Sequence, residues 1–155
     1  MDWLDKAASN AKIRYENEKK TEEKIRKLKE AYPDYLKQLW LEFEDVFREV
    51  EARFGAELTN IKVEGNFLTI KVADITIEAI SEQHDLLDGY FAAVYVTHKV
   101  PGISGGPELP YRKVYFTYDS KWVYVDDSLK KSVNKQFGKE QIAEIFKVAL
   151  WKYLI

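Results

Sequence analysis

The chain predicts an α+β fold: a long N-terminal helix or helices, an antiparallel β-meander of five to six strands, and a C-terminal helix packed on the sheet. Three observations predict it. Apolar residues recur at helical spacing before residue 55, at alternate positions between residues 58 and 127, and again at helical spacing after residue 138.

The strongest helical stripe is Leu36, Leu39, Trp40, Phe43, Val46, Phe47, Val50 and Phe54. These positions share one face of a 3.6-residue helix. Pro33 suits a first turn, where no intrahelical donor is lost. Asp34 favours the positive end of the helix dipole, and Gly55 suits a stop. A helix over 33–54 would be about 33 Å long and would cover the sheet.

Residues 1–31 read as an extended helical arm, with 32–155 as the globular core of one domain. Trp3, Leu4, Ala7, Ala8, Ala11 and Tyr15 form a short stripe, and Ile25, Leu28 and Tyr32 resume it. Between them ENEKKTEEK (16–24) has no apolar residue. Its spacing offers the pairs Glu16–Lys20, Glu22–Arg26 and Glu23–Lys27, each worth about 0.2–0.5 kcal/mol. Ordering a residue costs about 1–2 kcal/mol, so pairing alone cannot hold this stretch.

After Gly55 the apolar period becomes two. Ile61 and Val63, then Leu68, Ile70 and Val72, flank Gly65-Asn66, two residues that tolerate positive φ in a tight hairpin. Ile75 and Ile77 continue beyond Ala73-Asp74, as one bent strand or two. Residues 81–89 read as a polar turn and 90–99 as a central strand apolar on both faces. Residues 111–118 pair through Asp119-Ser120 with 121–127, and 128–137 read as a turn or short helix. Ile142, Ile145, Phe146, Ala149, Leu150 and Tyr153 mark the last helix, with Gly138 at its cap.

Composition narrows the chemistry. The chain has 155 residues, no cysteine and a formal net charge of −2. Thiol catalysis, disulfides and thiolate metal sites are excluded. No apolar run approaches 18 residues, so no membrane span is expected, and the expected compartment is the cytoplasm. Residues 108–155 carry nine basic and six acidic side chains, a mild positive bias far below that of a DNA-binding domain.

Candidate sites are few. Glu78, Glu82, His84, Asp85 and Asp88 supply oxygen and imidazole donors, but without an established ligand spacing; a solvated turn is the simpler reading and no metal or cofactor is expected. His98 ends an apolar strand and reads as structural. Ser104 lacks the helix that follows a nucleophile elbow, and the glycines around it lack the Lys-Ser of a phosphate loop. Residues 99–113, KVPGISGGPELPYRK, form a long connection in which three prolines remove donors and three glycines keep the chain pliable.

The functional expectation is a non-catalytic interaction protein, an adaptor, inhibitor or immunity-type module that binds a protein partner. Its contact residues are expected to be Trp3, Leu4 and Tyr15 on the arm, and Ile103, Glu108 and Leu109 on the 101–110 loop. Two alternatives stand beside it. One is a small apolar ligand held between a curved sheet and a helix, by analogy with helix-grip folds. The other is nucleic acid bound through Arg112, Lys113, Lys130 and Lys131 with nearby aromatic residues such as Tyr111, Tyr115, Tyr118, Trp122 and Tyr124.

Overall fold

In a computed structural model, described at residues 1–83, 89–102, 106–128 and 130–155, the order is helix, seven strands, helix. Helix α1 is Asp2–Phe54 and α2 is Lys139–Ala149, followed by a 3-10 turn at Trp151–Tyr153. The strands are β1 Thr59–Glu64, β2 Phe67–Val72, β3 Ile75–Glu82, β4 Ala92–Lys99, β5 Lys113–Phe116, β6 Trp122–Asp126 and β7 Val133–Gln136. They form one antiparallel sheet in the order β1-β2-β3-β4-β5-β6-β7. The α+β architecture is the expected one; the strand count is seven rather than five to six.

The chain groups into two units, 1–32 and 33–155. The first is helical throughout from Asp2, and its residues up to Lys24 are all exposed. Local ion pairs run along it: Arg14–Glu18, Glu23–Lys27, and Arg26 with both Glu23 and Glu30. Pro33 lies inside α1 rather than in a first turn. An interior proline loses one hydrogen bond and crowds the preceding turn, at about 3 kcal/mol. Here it coincides with the boundary between the two units.

In the second unit, Leu36, Leu39, Trp40, Phe43, Val46 and Phe47 are buried, which fulfils the sequence stripe. The sheet answers with one apolar face. Leu68, Ile70 and Val72 align with Ala79, Ile77 and Ile75 across β2–β3, and Val94 and Ala92 with Val114 and Phe116 across β4–β5. All ten are buried. Alternation is therefore what separates a core face from an outer face. Direct contacts fix the helix to this layer. The Trp40 indole N–H donates to the Gly65 carbonyl at 2.8 Å, and the Trp122 indole to the Tyr35 carbonyl at 3.3 Å. Phe43 lies 6.3 Å from Phe137 between ring centroids, and Tyr35 lies 5.1 Å from Phe116.

The tight turns follow the sequence signals. Glu64 pairs with Phe67 across Gly65-Asn66, with Gly65 at φ 54°. Val72 pairs with Ile75, so the Ala73-Asp74 kink is a true turn between two strands, with Ala73 at φ 54°. Residues 133–136 are a strand, not a turn or helix. All four are exposed, so no alternation betrays them. Main-chain pairing with β6 holds β7, together with the Lys135–Asp126 ion pair. The seams differ in extent: β3–β4 has seven register pairs, whereas β5–β6 has two, Tyr115–Val123 and Phe116–Trp122.

The last helix is shorter than its stripe predicts. Gly138 opens α2, with its N–H donating to Gln141 Oε1 at 2.9 Å. Regular α geometry ends at Ala149, and the 3-10 turn anchors on the β2–β3 turn. Tyr153 donates its hydroxyl proton to Asp74 at 2.7 Å, and Lys152 pairs with the same carboxylate.

If Phe43 is the keystone of this layer, Phe43→Ala should lower unfolding stability by about 3–5 kcal/mol. A urea midpoint shift converted with an unchanged m-value measures it, and a loss below about 1 kcal/mol would contradict the assignment.

Candidate functional site: a tyrosine-lined groove

Outer-face positions follow from the same register. Tyr95 aligns with Lys113, Ala93 with Tyr115, and Glu78 with Thr97. Tyr95 and Tyr115 are half-buried, and Thr97 and Lys113 are exposed. A groove of about 1090 Å³ is lined by residues of β4, β5 with its approach, and β6. Tyr90, Tyr95, Tyr111, Tyr115 and Tyr124 line it, with Arg112, Lys113, Asp126 and Asp127. Half of the ten tyrosines in the chain therefore converge on one depression.

Several of the rings are held by partners inside the fold. Tyr90 stacks on Tyr115, with centroids 4.2 Å apart and planes 17° from parallel. The Tyr90 hydroxyl donates to Asn134 Oδ1 on β7. Tyr111 meets Tyr124 edge-on at 4.6 Å and Phe137 at 6.0 Å, and its hydroxyl donates to the Glu144 carboxylate on α2 at 2.7 Å.

Tyr111 also has φ 57°. A bulky side chain in the left-handed region costs about 1–3 kcal/mol and persists only where its surroundings impose it. Here Tyr124, Phe137 and Glu144 supply that constraint. Partial burial, and then the bonded Glu144 carboxylate, push the Tyr111 phenol above its ordinary value. The Lys135 ammonium and the Ser128 hydroxyl and N–H hold Asp126 well below the usual carboxylate range. Asp127 accepts from the Ser132 hydroxyl at 2.6 Å.

The sequence candidates disperse. Arg112 and Lys113 reach the groove; Lys130 and Lys131 are exposed but do not line it. Of the expected aromatic residues, Tyr111, Tyr115 and Tyr124 line it, while half-buried Trp122 sits 4.7 Å from the buried Phe116 and Tyr118 sits 6.0 Å from Phe91. Glu108 is exposed and approaches Arg112 at 3.9 Å. Leu109 departs from the expected exposed loop tip: it is only 4% exposed, so it is a core side chain and presents nothing to a partner. Ile103 lies outside the described residues. Trp3, Leu4 and Tyr15 are exposed on the N-terminal unit, Trp3 at 68%.

His84, Asp85 and Asp88 also lie outside the described residues. Among the described residues no group of three or more His, Asp and Glu side chains could hold a metal ion, and no helix is long and apolar enough to cross a membrane. His98 faces a separate cleft of about 220 Å³ with Val100, Pro107, Trp151 and Lys152. Burial holds its imidazole below the ordinary value.

Sequence reasoning missed Tyr90 and Tyr95, because a strand apolar on both faces reads as fully covered. The available signal was parity. Tyr95 shares its face with exposed Thr97, and Tyr115 shares its face with Lys113. No family model, curated protein or solved structure matches the chain, so the groove is interpreted from its own chemistry.

The Tyr111 environment makes a pH prediction. A phenol raised above its unfolded value near 10 binds its proton more tightly in the folded state. Its stabilising contribution is complete below about pH 10 and is lost as pH rises past it. Stability should therefore fall as pH rises above about 10 in the wild type and fall less steeply there in Tyr111→Phe, measured by urea unfolding at each pH. Equal slopes would refute the assignment.

Proposed function

We propose that this chain is a non-catalytic interaction protein that binds a polypeptide partner in the tyrosine-lined groove. The observation that carries this reading is the convergence of five tyrosines on one open depression, with two of their hydroxyls bonded internally. Tyrosine gives a large amphipathic contact area at small conformational cost, and pre-fixed rings lower that cost further. A volume of about 1090 Å³ lies at the top of the usual small-ligand range, roughly 300–1,000 Å³. An open groove of that size suits a segment of a larger molecule.

The exposed Trp3, Leu4, Ile13 and Tyr15 of the N-terminal unit offer a second contact surface. The apolar-ligand alternative finds less support. The space beneath the sheet is filled by side chains such as Phe43, Phe47, Phe116, Leu68 and Ile70, all fully buried. Nucleic acid is also less favoured, because two of the four bases expected to hold it, Lys130 and Lys131, do not line the groove.

Twelve-residue peptides selected on the immobilised full-length protein should perturb amide resonances of Tyr90, Tyr95, Tyr115 and Tyr124. Tyr95→Ala, at a half-exposed outer-face position, should weaken those peptides at least about 10-fold, or 1.4 kcal/mol, with the far-ultraviolet circular dichroism unchanged. Perturbations confined to residues outside the groove would sink this reading.

A further inference from the structure

We infer that the groove selects an acidic segment of its partner, with Arg112 and Lys113 receiving carboxylates while the tyrosine rings take the apolar side chains between them. This inference rests on the groove being the binding surface.

Four charged residues line the groove, and their states differ. Asp126 is engaged by Lys135 and by the Ser128 hydroxyl and N–H. Asp127 already accepts a hydroxyl from Ser132. The two acids are thus turned to internal partners, and Lys135 adds a positive charge on the same side. Lys113 is exposed and has no ion pair among the described residues. Among the described residues Arg112 has only Glu108, 3.9 Å away, with both side chains more than 60% exposed. An exposed pair at that distance is worth about 0–1 kcal/mol and yields readily to a better acceptor. Two donors therefore remain for a ligand, one of them a planar fork suited to a carboxylate.

Placement favours the same ligand. Arg112 and Lys113 are consecutive at the head of β5, and Tyr95 lies directly across from Lys113 in the β4–β5 register. Tyr115, two residues along β5, shares the outer face with Lys113 and stacks on Tyr90. A bound segment thus meets cations and aromatic faces within one or two strand spacings, about 5–10 Å. An acidic residue next to an aromatic or aliphatic one matches that spacing, since extended residues advance about 3.3 Å each.

The test uses the full chain and four fluorescein-labelled probes. Three are twelve-residue peptides with the same Trp and Tyr positions, spaced by Glu, Ser or Lys; the fourth is a twelve-nucleotide oligothymidine. Fluorescence anisotropy should show the Glu peptide binding at least about 10-fold tighter than the Lys peptide, with Ser between them. The double reversal Arg112→Glu, Lys113→Glu should invert that order. Both positions are exposed, and circular dichroism checks that the variant is folded.

Equal binding of the three peptides, or preference for Lys, overturns the charge inference. If such charge-blind binding is still abolished by Tyr95→Ala, the groove reading survives alone. Binding that ignores Tyr95→Ala, or no peptide binding up to 1 mM on the order of weak-contact affinities, overturns both. Oligothymidine binding tighter than every peptide, with steep salt dependence, overturns them in favour of nucleic acid.

Discussion

The second unit depends on the burial of one helical face against one face of the sheet. An antiparallel meander of seven strands gains little from its main-chain bonds alone, because the unfolded chain bonds water almost as well. Removing apolar side chains from water supplies the difference, at about 1.5–3 kcal/mol for each fully buried large side chain. Phe43 and Phe47 on α1 and Leu68, Ile70, Ile77 and Phe116 on the sheet carry it. The two indole bonds, Trp40 to Gly65 and Trp122 to Tyr35, then decide where on the sheet the helix lies. One holds the β1–β2 hairpin and the other the start of β6. Hydrophobic burial provides the drive, and the polar tips of two aromatic residues set the alignment.

With one face committed to the core, the other is free to be specific. Strand parity sends Val94 and Val114 inward and Tyr95 and Tyr115 outward. The groove joins these outward rings to Tyr111 and Tyr124, and Tyr111 is bonded to Glu144 on α2. The same helix that completes the core through Ile142, Ile145 and Phe146 also supplies Glu144, which fixes the Tyr111 hydroxyl. Core and groove are therefore coupled through one element. Backbone strain at Tyr111 is tolerated because packing around it is already set by residues that fold for other reasons.

Much of this was legible in the sequence. The 36–47 stripe, the Gly65-Asn66 hairpin and the α2 stripe each combine a clear period with a turn or cap residue. Local preference and tertiary structure agree there. The failures have physical causes. Pro33 reads as a helix start, yet α1 runs through it, because helix is well favoured on both sides. Strand β7 has no buried side chain, so its pairing leaves no trace in hydropathy. Leu109 looks like an exposed loop residue because its neighbours are prolines and glycines, but its burial is set by residues far away in the chain. The groove combines both problems. Arg112, Lys113, Tyr111, Tyr115 and Tyr124 stand out as a basic aromatic cluster. Tyr90 and Tyr95 reach them only through the β4–β5 register, which no local pattern specifies.

The unequal seams of the sheet have a mechanical meaning. Seven register pairs tie β3 to β4, whereas two tie β5 to β6, and the groove lies across that shorter join. The sheet is built like a page with a perforation, and the hairpin β6–β7 is the part beyond it. Of the six seams this one has the fewest register pairs, so side-chain contacts such as Phe116 with Trp122 carry more of its closure. A molecule spanning the groove would act as a stitch over that line, and the tightness of its grip would be written directly into how rarely the join parts.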